Sequence, residues 1–230
     1  MGFLGAIASG LSAVGSFIGG CASKLGSSIC GIVGGLLSPF PQLGIAITVI
    51  KVVGEIIKII AEGLGIIKEE DQIDELGAKA MQEDTLGRDA FKSEQEYIEY
   101  LKNEVALDRE KFEKASPEEK LAYAAVGVSI VSKSVEEKTG IGIPPEFLLT
   151  AAKTKMSVEE VSAYIEKFKE KGFETLGVIS SYLKGEDMKG DESTISSTIM
   201  EGLQQANPDM NQEQIQDRLV DMIVGSKEER

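Results

Sequence analysis

The chain of 230 residues has no histidine, no tryptophan and only two cysteines, and aromatic side chains fill just 6% of its positions. Without histidine, the usual general base and a common metal ligand are both missing. No serine or cysteine can then be activated by an imidazole. Cys21 and Cys30 are too few for a disulfide framework and read as small buried thiols. A bridge between them is open only to a protein that leaves a reducing compartment. The sequence also lacks a phosphate-binding glycine loop with its Lys-Ser/Thr, a His-Glu-x-x-His pair, a Cys-x-x-Cys pair and a Gly-x-Ser-x-Gly elbow. Carboxylates are plentiful, but they read as solvated helix faces, and the acidic loop at residues 185–192 lacks the spacing of a calcium loop. These absences lead to the expectation of a protein that is not an enzyme and uses no metal or cofactor.

Charge is scarce in one part of the chain only. Up to Ile67 there are three lysines and two glutamates, a net charge of +1. The whole chain carries −14, so everything from Lys68 onward carries −15. Such an acidic remainder has no clustered Lys and Arg to neutralise phosphates, which excludes nucleic acid as a partner. Residues 2–23 have no charged side chain, so the basic start of an ordinary signal peptide is missing. The expectation is synthesis in the cytoplasm without a Sec-type signal peptide, then action at a membrane or after delivery by a secretion or injection machine.

What the first third does contain is glycine and apolar residues. Phe3, Ile7, Leu11, Val14 and Ile18 recur at helical spacing, and small residues such as Gly5 with Ser9 and Gly15 with Gly19 stand four apart. That spacing lets helices pack closely in lipid. In water each glycine lowers helix stability by about 1 kcal/mol relative to alanine. The stretch at residues 25–50 is free of charge and long enough to cross a bilayer, but Pro39-Phe40-Pro41 interrupts it. The reading is an apolar helical hairpin, with arms at residues 3–37 and 43–67 and the Pro39-Phe40-Pro41 tip leading. In the second arm Thr48, Lys51, Glu55, Lys58 and Glu62 step by three and four into one narrow polar stripe. Lys51 with Glu55, and Lys58 with Glu62, are spaced to pair. Charges in an otherwise apolar helix of this length point either to a polar path through lipid or to the solvent edge of a bundle.

Beyond Lys68 helix start signals are frequent. Ser93 precedes Glu96, Ser116-Pro117-Glu118-Glu119 forms a capping box with proline at the first helical position, and Ser157 with Glu160 and Asn211 with Gln214 repeat the pattern. The helix after Ser93 is expected to carry Tyr97 through Phe112, and a short helix is expected over residues 173–183. No alternating apolar runs bounded by turn pairs occur. The expected fold is all-α, an apolar glycine-rich hairpin at residues 1–67 attached to an acidic multi-helix domain at residues 68–185. A helix pair at residues 186–230 either stands apart or belongs to the same domain.

An apolar hairpin on a soluble helical domain resembles the architecture of pore-forming bacteriocins. The opening Met-Gly-Phe-Leu-Gly-Ala-Ile-Ala-Ser-Gly is similar to the Gly/Ala-rich starts of membrane-penetrating phage proteins and injected effectors. The likeness covers the N-terminal third and transfers no functional residue. The resulting expectation is a membrane-inserting, pore-forming protein of toxin or effector type, its hairpin masked until release. Its partners would be a lipid membrane, a carrier, chaperone or immunity-type protein, and other copies of itself. The alternatives are an adaptor in a phage tail or injection machine, docked in a protein channel, and a soluble helical binding module.

Overall fold

Ser116, Ser157 and Asn211 each stand three residues before a Glu or Gln, and each opens a helix. The Ser116 hydroxyl accepts from the Glu119 amide at 3.2 Å, while the Glu119 carboxylate accepts from the Ser116 amide at 2.9 Å. Ser157 with Glu160 and Asn211 with Gln214 close the same reciprocal pair. Each box satisfies two of the amides that a helix start leaves without partners.

The computed structural model describes residues 3–187 and 191–227, with side chains from Leu11 onward. Among the described residues the chain is all-α: eleven helices, one 3-10 turn and no strand. In order they are α1 (Phe3–Leu37), α2 (Leu43–Gly63), α3 (Ile73–Gln82), the 3-10 turn (Arg88–Ala90), α4 (Glu94–Asn103), α5 (Arg109–Glu113), α6 (Pro117–Thr139), α7 (Pro145–Lys153), α8 (Val158–Glu170), α9 (Gly177–Lys184), α10 (Glu192–Ala206) and α11 (Gln212–Lys227).

The chain forms two compact units, Met1–Lys138 and Thr139–Arg230. The sequence changes character at Lys68, yet no unit boundary falls there. The apolar third shares its unit with acidic helices because α1 packs on α3 and on the 3-10 turn as well as on α2. No boundary falls near residue 186 either, because α10 packs on α8 and α9, and α11 on α9, α10 and α7.

Within the first unit α3 and α6 cross with their backbones in contact. A Cβ placed on Gly77 would lie 1.9 Å from the Tyr123 carbonyl oxygen, and one on Gly127 would lie 1.9 Å from that of Ile73. Two helix backbones therefore touch where neither helix has a side chain. Tyr97, Ile98, Leu101, Leu121 and Val126 are buried in this unit.

In the second unit the Arg218 guanidinium of α11 reaches the start of α8. It donates twice to the Glu160 carboxylate, at 2.7 and 2.8 Å, and also to the carbonyls of Thr154 and Lys155. Glu160 is the same carboxylate that completes the α8 capping box. Gly202 of α10 leaves room for the Tyr164 ring, which would stand 2.6 Å from a Cβ there.

Two elements differ from the sequence reading. The helix after Ser93 ends at Asn103, so Val105 and Leu107 lie in a loop and Phe112 belongs to α5. The helix expected from residue 173 starts at Gly177, because the Gly142 amide donates to Glu174 and the Leu176 amide donates to Gly142, which holds residues 174–176 against the chain before α7.

Candidate functional site

The first arm of the expected hairpin is itself bent. Inside α1, Gly26 has φ 76° and ψ 159°, and the helices on either side are separate. Those angles belong to a region that residues with a Cβ almost never occupy. Leu11, Gly15, Ile18, Gly19 and Ala22 before the bend face Cys30, Val33, Gly34 and Leu37 after it, across a cavity of about 440 Å³. The Cys30 thiol lies 3.8 Å from the Ala22 carbonyl oxygen, which it reaches across the bend.

The loop between α3 and α4 clamps this bend. A Cβ on Gly87 would meet the Lys24 carbonyl oxygen at 3.1 Å and the Lys24 Cα at 3.2 Å, so the loop backbone lies against the backbone of α1. Asp89 and Arg88 cover Gly26. Lys24 pairs with Asp84, and the Cys21 thiol donates to the Met81 carbonyl. The clamp is anchored below. Arg88 pairs with the fully buried Glu94 and with Glu137 of α6, and it donates to the Phe91 carbonyl. Burial pushes the Glu94 carboxyl above its usual range, and the Arg88 guanidinium only partly opposes this. One Glu94 carboxylate oxygen and the buried Tyr97 hydroxyl have no hydrogen-bond partner.

The bend sorts side chains by size. Val14, Ile18, Leu25, Ile29, Val33 and Leu36 are buried. Ser12, Ser16, Gly20, Ser23, Ser27, Ser28 and Gly31 face outward, and Gly15, Gly19 and Gly34 are exposed along the cavity between the two halves. Phe17, at 40% exposure, is the large apolar exception. The run Leu11–Leu37 is nonetheless long and apolar enough to cross a membrane by length and composition, and only 28% of its best window is buried.

The Pro39-Phe40-Pro41 tip forms the turn between α1 and α2. Pro39 and Pro41 are exposed, whereas Phe40 is half-buried and folds back to line the cavity inside α1. A Cβ on Gly15 or Gly19 would meet nothing within 4 Å, so no helix backbone packs on them. Gly5 and Ser9 lie outside the residues whose side chains are described.

The stripe of α2 is divided. Thr48 is exposed, and its hydroxyl donates to the Gly44 carbonyl. Lys51 and Glu55 are exposed, and among the described residues neither forms an ion pair. Lys58 and Glu62 pair at 3.6 Å, each about a quarter exposed, and Lys58 also donates to the Glu69 carbonyl at 3.0 Å. Lys51, Glu55 and Lys58 border a groove of about 520 Å³ between α2, the start of α3 and α6. Its apolar lining includes Ile47, Ile50, Leu121, Ala124 and Val128, with Asp74 and Lys120 also at its rim. On the opposite side of α2, Val52 and Ile59 are exposed seven residues apart.

The sequence did not single out Gly26, Gly87, Arg88 or Glu94. Gly26 is one glycine among many in that run, and only the loop against it sets it apart. Compared with known proteins, the chain has no significant match to any family profile, curated protein or solved structure.

Proposed function

We propose that this is a membrane-inserting protein whose apolar N-terminal segment is folded away in its water-soluble form. One observation carries the reading: a run of bilayer length is bent so that most of its large side chains are buried while most of its glycines and serines are exposed. An apolar segment of that length gains by burial in lipid, and the inward turn keeps the closed form from exposing a large apolar patch. Phe17, Val52 and Ile59 stay exposed and supply first contacts with a bilayer surface. The acidic remainder, repelled by anionic headgroups, stays in water.

The test is flotation of the full chain with phosphatidylcholine vesicles at low and high salt. Flotation that high salt does not reverse is the expected result. A chain that stays at the bottom of the gradient under every condition, including after the closed form has been loosened with sub-denaturing urea, would defeat the proposal.

A second reading, a helical binding module, is favoured by the groove between α2, α3 and α6. Its volume falls in the roughly 300–1,000 Å³ range of small-molecule sites. It predicts a soluble chain that never floats.

A further inference from the structure

We infer that the form of this chain that crosses a bilayer is α1 straightened at Gly26 into one continuous helix over Leu11–Leu37. This rests on the membrane-inserting reading and specifies how that reading works.

Three observations point the same way. The segment has 27 residues, and a straight helix of that length spans about 40 Å, against roughly 30 Å of hydrocarbon. Bent at Gly26, the half after it, residues 27–37, is too short to cross by itself. The bend sits at one residue whose conformation is restricted to glycine, and the groups packed against that residue come from a separate loop: Gly87 on the neighbouring backbone, Asp89 and Arg88 over Gly26, and Asp84 on Lys24. The exposed glycines leave space unused in the closed form, since a Cβ on Gly15, Gly19, Gly20, Gly31 or Gly34 would meet nothing within 4 Å.

Straightening has one clear opponent. Lys24 stands near the centre of Leu11–Leu37, where in lipid it loses Asp84 and must be desolvated. The closed form satisfies that ammonium at the loop, so the same residue favours the bent state and disfavours the span. A bent form that merely wedged into the headgroups would keep Lys24 at the water interface, and its insertion would be indifferent to this charge.

The experiment compares full-length wild type, Gly26→Ala, Lys24→Leu, Asp84→Asn and Gly31→Ala on phosphatidylcholine vesicles. It reads the carbonate-resistant floated fraction and the labelling of Cys21 and Cys30 by a membrane-impermeant maleimide. Gly26→Ala strains only the bent form and improves the straight helix, so the equilibrium shifts roughly 30- to 1,000-fold toward insertion. Lys24→Leu raises insertion roughly 100-fold or more. Asp84→Asn removes only a partly exposed ion pair and changes it at most a few-fold. Gly31→Ala adds the same methyl away from the bend and also changes it only a few-fold. Both thiols are protected in the inserted form.

Wild-type insertion that neither Gly26→Ala nor Lys24→Leu increases would overturn the straightening, and the membrane reading would stand. Failure of every variant to float would overturn the membrane reading itself. Should Gly26→Ala fold poorly by circular dichroism, Lys24→Leu alone decides, because it leaves the backbone at the bend unstrained.

Discussion

Replacing Gly127 with alanine gives a direct measure of how closely α3 and α6 touch. The new Cβ would lie 1.9 Å from the Ile73 carbonyl oxygen, 2.7 Å from its carbon and 2.9 Å from its Cγ2. Ordinary contact begins at 3.4 Å, so the backbones must separate by about 1.5 Å. No rotamer relieves the clash, because the nearest atoms are backbone. Separation also drags α3 away from its anchor, where Lys79 donates to the carbonyls of Leu101 and Lys102. Overpacking of this kind costs about 1–3 kcal/mol, sometimes more, and a backbone clash belongs at the upper end. Alanine returns about 1 kcal/mol of helix propensity. The expected net loss is therefore about 2 kcal/mol or more. The chain has no tryptophan, so urea unfolding is followed by far-ultraviolet circular dichroism. Hydrogen exchange then assigns the loss to the unit ending at Lys138. Gly31→Ala, where a Cβ meets nothing, serves as the control and should be neutral or slightly stabilising. If Gly127→Ala unfolds at the same urea concentration as wild type, with exchange at residues 73–82 unchanged, the crossing is not tight and the reasoning fails.

Other perturbations test different parts of the chain. Arg218→Met leaves the nearly buried Glu160 carboxylate without its bidentate partner; breaking one side of such a pair costs about 3–5 kcal/mol, so faster exchange confined to the unit from Thr139 onward is expected, and uniform protection would refute it. Glu94 gives a pH signature. Its carboxyl is raised by burial from a starting value of 4.5, so the folded state holds the proton more tightly and this group's contribution to stability falls as pH rises from about 4.5 through the raised value. Glu94→Gln removes that slope, and wild-type stability that gained on the variant with rising pH would contradict the assignment.

The helices were legible where local chemistry decides them. The capping residues Ser116, Ser157 and Asn211 act through neighbours three positions away, and Pro39 and Pro41 stop a helix by their own ring geometry. The polar stripe of α2 was legible for the same reason, since its period lies within one helix. What failed to show was non-local. The sequence Lys24-Leu25-Gly26-Ser27 carries no breaker stronger than its neighbours, and the bend forms because residues 84–89, some sixty positions later, lie against it. The Gly77–Gly127 crossing joins residues fifty positions apart, and α3 itself is only ten residues long. The start of α9 was misplaced because its preceding residues pair with Gly142, more than thirty positions earlier.

The glycines of this chain divide by what surrounds them, and the division bears on function. Gly77 and Gly127 are required by contact, since any side chain there strikes backbone. Gly26 is required by conformation. Gly15, Gly19, Gly20, Gly31 and Gly34 are required by neither: all five are helical and have open space where a side chain would go. Each lowers helix stability by about 1 kcal/mol against alanine, roughly 5 kcal/mol together, a sum comparable with the whole stability of a small domain. The fold described places no neighbour within 4 Å of a side chain at these positions. On the proposed membrane-inserting function the compensation lies in the inserted state, because in a bilayer small residues on one helix allow the close approach of a second. The same five glycines weaken α1 as an independent helix in water, so in the closed form the segment depends on the loop at residues 84–89 and on α2 and α3 for its shape. An α1 made rigid by alanine at all five sites would hold the bent pair more firmly and associate less well with other copies in lipid. Helix stability in water and close packing in lipid ask for opposite residues at these positions, and the chain has glycine at every one.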